Sequence, residues 1–202
     1  MATTVSRQQA KSMLRVLGWD NANSNFGSAV RCFQAAYNLD RTPLRVDGDF
    51  GEKTSAALVK SYARHRKGQP TMSAHFSFIE FRCKGPAIPE CRRIWVLRTL
   101  VRRLEAYGAK IGNKPVRIVS GCRCRQRNAA VGGAKSSQHL FGAASDIEGL
   151  ASLTEKERMQ LFSGLGYQKS TGRVVHVDVR HISGHNTTGG TPTNPTEWRY
   201  AS

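Results

Sequence analysis

No stretch of the 202-residue sequence approaches the roughly 18 consecutive apolar residues that a membrane-spanning helix needs. The opening residues, MATTVSRQQAKSMLRVLGW, do not run from charged start to apolar core to cleavage site, so they do not read as a signal peptide. There is no Gly-x-Ser-x-Gly, and no cysteine stands beside a base, which disfavours covalent catalysis. Gly132-Gly133 has neither a preceding strand nor a following Lys-Ser/Thr, so it is not a phosphate loop. Acidic residues are scarce: 14 Asp and Glu face 31 Lys and Arg, for a net charge of +17.

That field attracts polyanions. Nucleic acid is the plainest partner for it, but the chain has no zinc knuckle, no RNP-like aromatic run and no basic amphipathic helix. An anionic cell-wall polymer fits the charge equally well. Five cysteines, at 32, 83, 91, 122 and 124, include no Cys-x-x-Cys, which argues against a structural zinc site. Four of them lie beyond residue 80, where one or two disulfides are expected if the protein works outside the cell. Cys32 sits in an apolar helical pattern and reads as a buried thiol.

With 39% hydrophobic and 22% charged residues, the chain reads as a soluble protein with one large or two small cores. Helical spacing covers residues 5–17 (Met13, Leu14, Leu17) and 28–39 (Val30, Phe33, Gln34, Tyr37), the second capped by Ser28. Val46-Asp47-Gly48-Asp49-Phe50-Gly51 reads as a turn. A third helix is expected over 52–64, with Ala56, Leu58 and Tyr62 inward. The basic run from Arg64 to Pro70 lacks a hydrophobic period and reads as a linker, placed at 67–72. Beyond it the spacing predicts a long helix over 89–108, with Ile94, Leu97, Leu100, Val101 and Leu104 inward. Strands are expected over 115–120, 143–148 and 172–180, and a helix over 153–165 opens at Thr154. In the last strand Val175, Val177 and Val179 alternate with His176, Asp178 and Arg180. The residues from 183 to 195 read as a loop. Helices and strands are mixed, so the fold class is α+β: a small three-helix unit over 1–66, then a unit over 73–202 with a mainly antiparallel sheet.

His139 precedes Asp146 by seven residues, with small residues between them, and a second polar cluster follows at His176-Val-Asp178-Val-Arg180-His181. Imidazole and carboxylate together suit zinc, whose catalytic sites use three protein ligands and one open position. His139, Asp146 and His181 are the expected ligands, and Asp178 the expected general base. The plain alternative for the second cluster is a half-exposed strand with valines in the core. His181, at the strand's end, weighs against it.

The pattern Ser137-x-His139-x-x-Gly142-x-Ala144-x-Asp146, then His176-x-Asp178-x-x-His181, resembles the zinc D-alanyl-D-alanine peptidases of family M15. Ser120-Gly121-Cys122-Arg123, Asn128 and Val131-Gly132-Gly133-Ala134 continue it upstream. The resemblance implies roles for Arg123 and His176 in steadying substrate or the oxyanion, and for Ser137 in binding substrate. The layout Gly27-Ser28-Ala29-Val30, Phe33-Gln34 and Val46 to Leu58 resembles the three-helix peptidoglycan-binding domain. Together these imply a monomeric, one-zinc peptidoglycan hydrolase of the cell wall or outside of the cell, cutting a D-alanyl bond as carboxypeptidase or endopeptidase. Without a signal peptide, a phage endolysin is one source and a trimmed secreted enzyme another. An L-alanyl-D-glutamate endopeptidase is the alternative activity, and a non-catalytic wall-binding protein the alternative class.

Overall fold

The computed structural model describes residues 4–86, 93–114, 116–150, 154, 157, 160–180 and 196–200. Three helices come first: α1 (Arg7–Val16), α2 (Phe26–Ala36) and α3 (Glu52–Arg66). Ser6 opens α1 with a capping box shared with Gln9. Asn25, not Ser28, caps α2, its side chain accepting from the Ser28 amide at 3.0 Å. The turn into α3 is organised from α2. Buried Gln34 accepts from Gly48 N at 2.8 Å and donates to Asp47 Oδ1, Asp49 O and Thr54 Oγ1. Gly48 takes φ +85°, which a side chain would resist. On α3 the inward positions are Thr54, Ala57, Leu58 and Ser61, while Ala56 faces out.

The segment expected as a linker is only partly one. Helix α3 reaches Arg66, and Thr71, Met72 and Ser73 are buried, with Met72 O accepting from Asn38 N at 2.9 Å. Helix α4 (Arg98–Lys110) starts nine residues after the sequence-based start. Residues 94–97 are extended instead because their backbone is engaged elsewhere: Trp19 Nε1 donates to Ile94 O, and Leu97 N donates to Gly142 O. Leu100, Val101, Leu104 and Tyr107 then face the core.

The sheet has five strands in the order β1 (Ile118–Ser120), β2 (Ala144–Leu150), β4 (Val174–Asp178), β3 (Gly164–Gln168) and β5 (Thr196–Tyr200). All pairs are antiparallel except β3 with β5, so the α+β reading with a mainly antiparallel sheet holds. The helix expected to reach residue 165 yields to β3, because Gly164 and Leu165 pair with Asp178 and Val177. Between β3 and β4, Gly166 faces His176 and Tyr167 faces Val174, which leaves Val175 as a bulge. Val175 is accordingly half-buried on the site cavity, rather than in the core with Val177 and Val179. One hydrophobic core runs from Ala10 to Val179. Trp19, Phe33 and Phe78 meet at its centre with ring centroids 4.8–5.9 Å apart.

Candidate metal centre

Short local devices hold the centre's residues. His139 lies in a single 3₁₀ turn, Gln138–Phe141, closed by Gly142 at φ +65°. A Cβ on Gly142 would sit 2.4 Å from Trp95 O, so only glycine lets the chain turn there. The turn leads directly into β2, which carries Asp146. Strand β4 pairs with β2 so that His176 stands opposite Asp146 and Asp178 opposite Ala144. Cross-strand register, not sequence proximity, thus brings His176 to the His139/Asp146 pair.

Three ligand atoms converge. His139 Nε2 lies 3.1 Å from Asp146 Oδ1 and 3.1 Å from His176 Nδ1, and His176 Nδ1 lies 2.8 Å from Asp146 Oδ1. His139, Asp146 and His176 form the group among the described residues that could hold a metal ion. The donors fit one. His139 Nδ1 is 2.6 Å from Gly121 O, which can only accept, so Nδ1 carries the proton and Nε2 presents its lone pair to the centre. His176 Nε2 faces Asp178 Oδ2 at 3.6 Å, leaving Nδ1 for the same point. Zinc–ligand bonds of ~2.0–2.1 Å in a tetrahedron separate neighbouring ligand atoms by about 3.3 Å, close to these spacings.

Charge around the centre is arranged in pairs. Burial opposes ionisation of Asp146, but the His139 and His176 imidazoles against it outweigh that and hold the carboxyl well below the ordinary carboxylate range. Arg123 pairs with the other oxygen of Asp146, donates through Nε to Ser120 Oγ at 3.1 Å, and is tied to the His139 turn through its own amide. Burial pushes His139 below the ordinary imidazole value. Burial acts the same way on His176, yet the carboxylates of Asp146 and Asp178 beside it prevail and raise it. Asp178 is wholly buried; burial alone would raise its carboxyl, but the neighbouring His176 imidazole and the Arg180 guanidinium hold it at about 2. Arg180 grips it with Nε at 3.0 Å and Nη2 at 2.6 Å.

The centre opens into a cavity of about 730 Å³, lined among others by Arg123, Ser137, Glu148, Val175, Arg180 and Tyr200. Of the residues singled out from sequence, His139, Asp146, His176, Arg123 and Ser137 come together at this cavity. Asp178 lies behind His176, not among the lining residues. His181, the expected third ligand, lies outside the described residues. Sequence reasoning passed over the ligand geometry of His176, although its place one residue from Asp178 on a strand was a usable signal. It also passed over Glu148, two residues after Asp146 and on the same strand.

A zinc D-Ala-D-Ala carboxypeptidase from Streptomyces albus G is 28% identical over 189 residues, covering 78% of this chain and 72% of that protein. That share of this chain is longer than residues 73–202, so the likeness extends into the N-terminal helices. The peptidase M15 family model matches residues 74–178, which span α4, α5 (Arg125–Ala130), the His139 turn and strands β1 to β4. With more than half of its length under that match, the chain belongs to the peptidase M15 family and is a peptidase.

Proposed function

We propose that this peptidase is a zinc-dependent peptidoglycan hydrolase that cuts a D-alanyl peptide bond of the wall peptide. The observation that carries the reading is the convergence of His139 Nε2, Asp146 Oδ1 and His176 Nδ1 at the floor of an open cavity. The name of the Streptomyces albus G relative supports the choice of metal and bond. Zinc held by these three would lower the pKa of a bound water toward ~7 and polarise the scissile carbonyl.

The chain's own residues supply the rest. Arg123 presents a guanidinium at the cavity edge, where it steadies a substrate carboxylate or the developing oxyanion. Ser137 lines the same wall as a polar contact for the peptide. Asp178, buried and gripped by Arg180, orients the His176 ring through Nε2, as carboxylates commonly do for metal-bound histidines. Among the described residues Glu148 is the carboxylate that lines the cavity without being one of the three ligands, and it takes the proton from the attacking water and returns it to the leaving amine. Residues 1–66 serve as the wall-binding unit, consistent with 11 basic against 5 acidic residues over 1–72.

Digestion of purified peptidoglycan followed by mass spectrometry tests the activity. New termini at D-alanine are expected, with loss of activity on chelation and recovery with zinc. New L-alanine carboxyl and D-glutamate amino termini would assign the L-alanyl-D-glutamate activity instead.

A further inference from the structure

A second cavity, of about 720 Å³, lies where α2 meets the segment before α4 and the entrance to α5. It begins where the first ends, because Arg123 lines both. Its lining brings together Arg31, Arg93, Arg123, Arg125 and Lys135. No Asp or Glu is among the described residues that line it. Arg123 alone of the five has a carboxylate partner among the described residues. Arg31 donates to the main-chain oxygen of Asp47, and Arg93 reaches the Cys32 thiol.

This crowding is not imposed by the fold. Arg31, Arg93, Arg125 and Lys135 are exposed side chains that a polar residue could replace, yet like charges are gathered on one concave surface. Low-dielectric walls around such a cluster focus its field and favour an anion within it. Four of the five cations are arginines, whose planar fork fits a carboxylate in two parallel hydrogen bonds. Trp95 and Phe141 provide an apolar flank, fixed by Trp95 Nε1 donating to Phe141 O at 2.7 Å. Cations beside an apolar flank suit a peptide with both carboxylates and methyl groups.

Building on the proposed activity, we infer that this second cavity is a substrate subsite that binds the carboxylate-bearing arm of the wall peptide, while the scissile bond lies at the metal centre. Arg123 joins the two subsites. Specificity for an acidic over an amidated peptide is therefore set outside the metal cavity.

The test uses two soluble pentapeptides ending in D-alanyl-D-alanine, one with free internal carboxylates and one with those groups amidated. The variant is Arg93→Gln/Arg125→Gln/Lys135→Gln in the full chain. Each charge-assisted contact of this type is worth about tenfold or more. The wild-type protein is expected to prefer the acidic peptide by at least about tenfold in KM. The variant should lose that preference, with kcat, zinc content and the KM of the amidated peptide unchanged. Tryptophan fluorescence titration of the full-length protein reads binding of both peptides even if neither is cut. Absent hydrolysis therefore bears on the proposed activity, and absent discrimination bears on the subsite. Equal affinity of the wild-type protein for the two peptides, an equal loss for both in the variant, or no binding of either would overturn the inference. So would a variant that loses binding only to a soluble phosphodiester polymer, which would reassign the cavity to phosphate.

Discussion

In the proposed reaction Asp178 and Glu148 divide between them the two things a carboxylate can do near a metal. Asp178 has no exposed surface, and Gly164 on the adjacent strand makes room for it: a Cβ there would lie 2.1 Å from Asp178 Oδ2. Asp178→Asn should therefore lower zinc affinity by about 10–100-fold, the usual effect of losing such a support, and activity should recover at high zinc. Gly164→Ala should act in the same direction by displacing the carboxylate. Glu148→Gln should instead retain zinc and lose about 10²–10⁴-fold in turnover. Zinc titration alongside kcat separates the two roles. An Asp178→Asn variant that keeps its zinc but not its turnover would return the base assignment to Asp178. His139 and Asp146 were legible in the sequence because one short turn and the start of one strand connect them. The position of His176 opposite Asp146 was not, since it depends on how two strands 30 residues apart pair.

Elements were legible where their pattern is local. The amphipathic stretches that became α1, α2, α3 and most of α4 announce themselves through periodic apolar residues. Boundaries failed where tertiary partners took over the backbone, as at residues 94–97 and at Gly164. Strand alternation failed at Val175 because a bulge is a property of the pairing, not of the strand. Two local networks hold the N-terminal helices in register. Gln34 satisfies four groups around the Gly48 turn. Gln34→Ala would take a partner from each, with Thr54 buried and Gly48 half-buried, and should cost about 1–3 kcal/mol, measured by urea unfolding. The second network joins α2 to α3 through Asp40, which accepts from Lys60 at 2.5 Å and from Tyr37 OH at 2.5 Å. The Lys60 contact and then the Tyr37 hydroxyl lower the Asp40 pKa, so the native state favours its ionised form. Its contribution is present above the ordinary carboxylate value of ~3.9 and fades as pH falls below it. Asp40→Asn should therefore be destabilising at pH 7 and less so at pH 3. The difference should stay within about 1 kcal/mol, because the pair is half exposed.

At the scale of the molecule, the N-terminal helices and the peptidase part share one core. The basic, Pro-containing run after α3 reads from sequence as a boundary, and its polar residues do lie outside. Met72 at its end is wholly buried, however, and Trp19, Phe33 and Phe78 stack across the expected division. Arg98 at the start of α4 donates to the main-chain oxygens of Tyr37, Asp40 and Arg41, closing the same seam with polar contacts. A detachable wall-binding unit would lose none of this on removal. Deleting residues 1–66 from this chain should instead bare Phe78 and Ile94 and strand the Arg98 side chain. Losing a buried aromatic partner alone typically costs ~3–5 kcal/mol, a large part of a domain's stability. The truncated protein is expected to melt far lower or fail to fold, and to lose hydrolysis of a small soluble peptide together with wall binding. Trp19→Ala tests the seam without removing the charge of the helices: it should lower the melting temperature strongly while wall pelleting at low temperature persists. A truncated protein that hydrolyses the soluble peptide at the full rate, with an unchanged melting temperature, would show that the shared core is not needed and that the helices serve only to hold the wall.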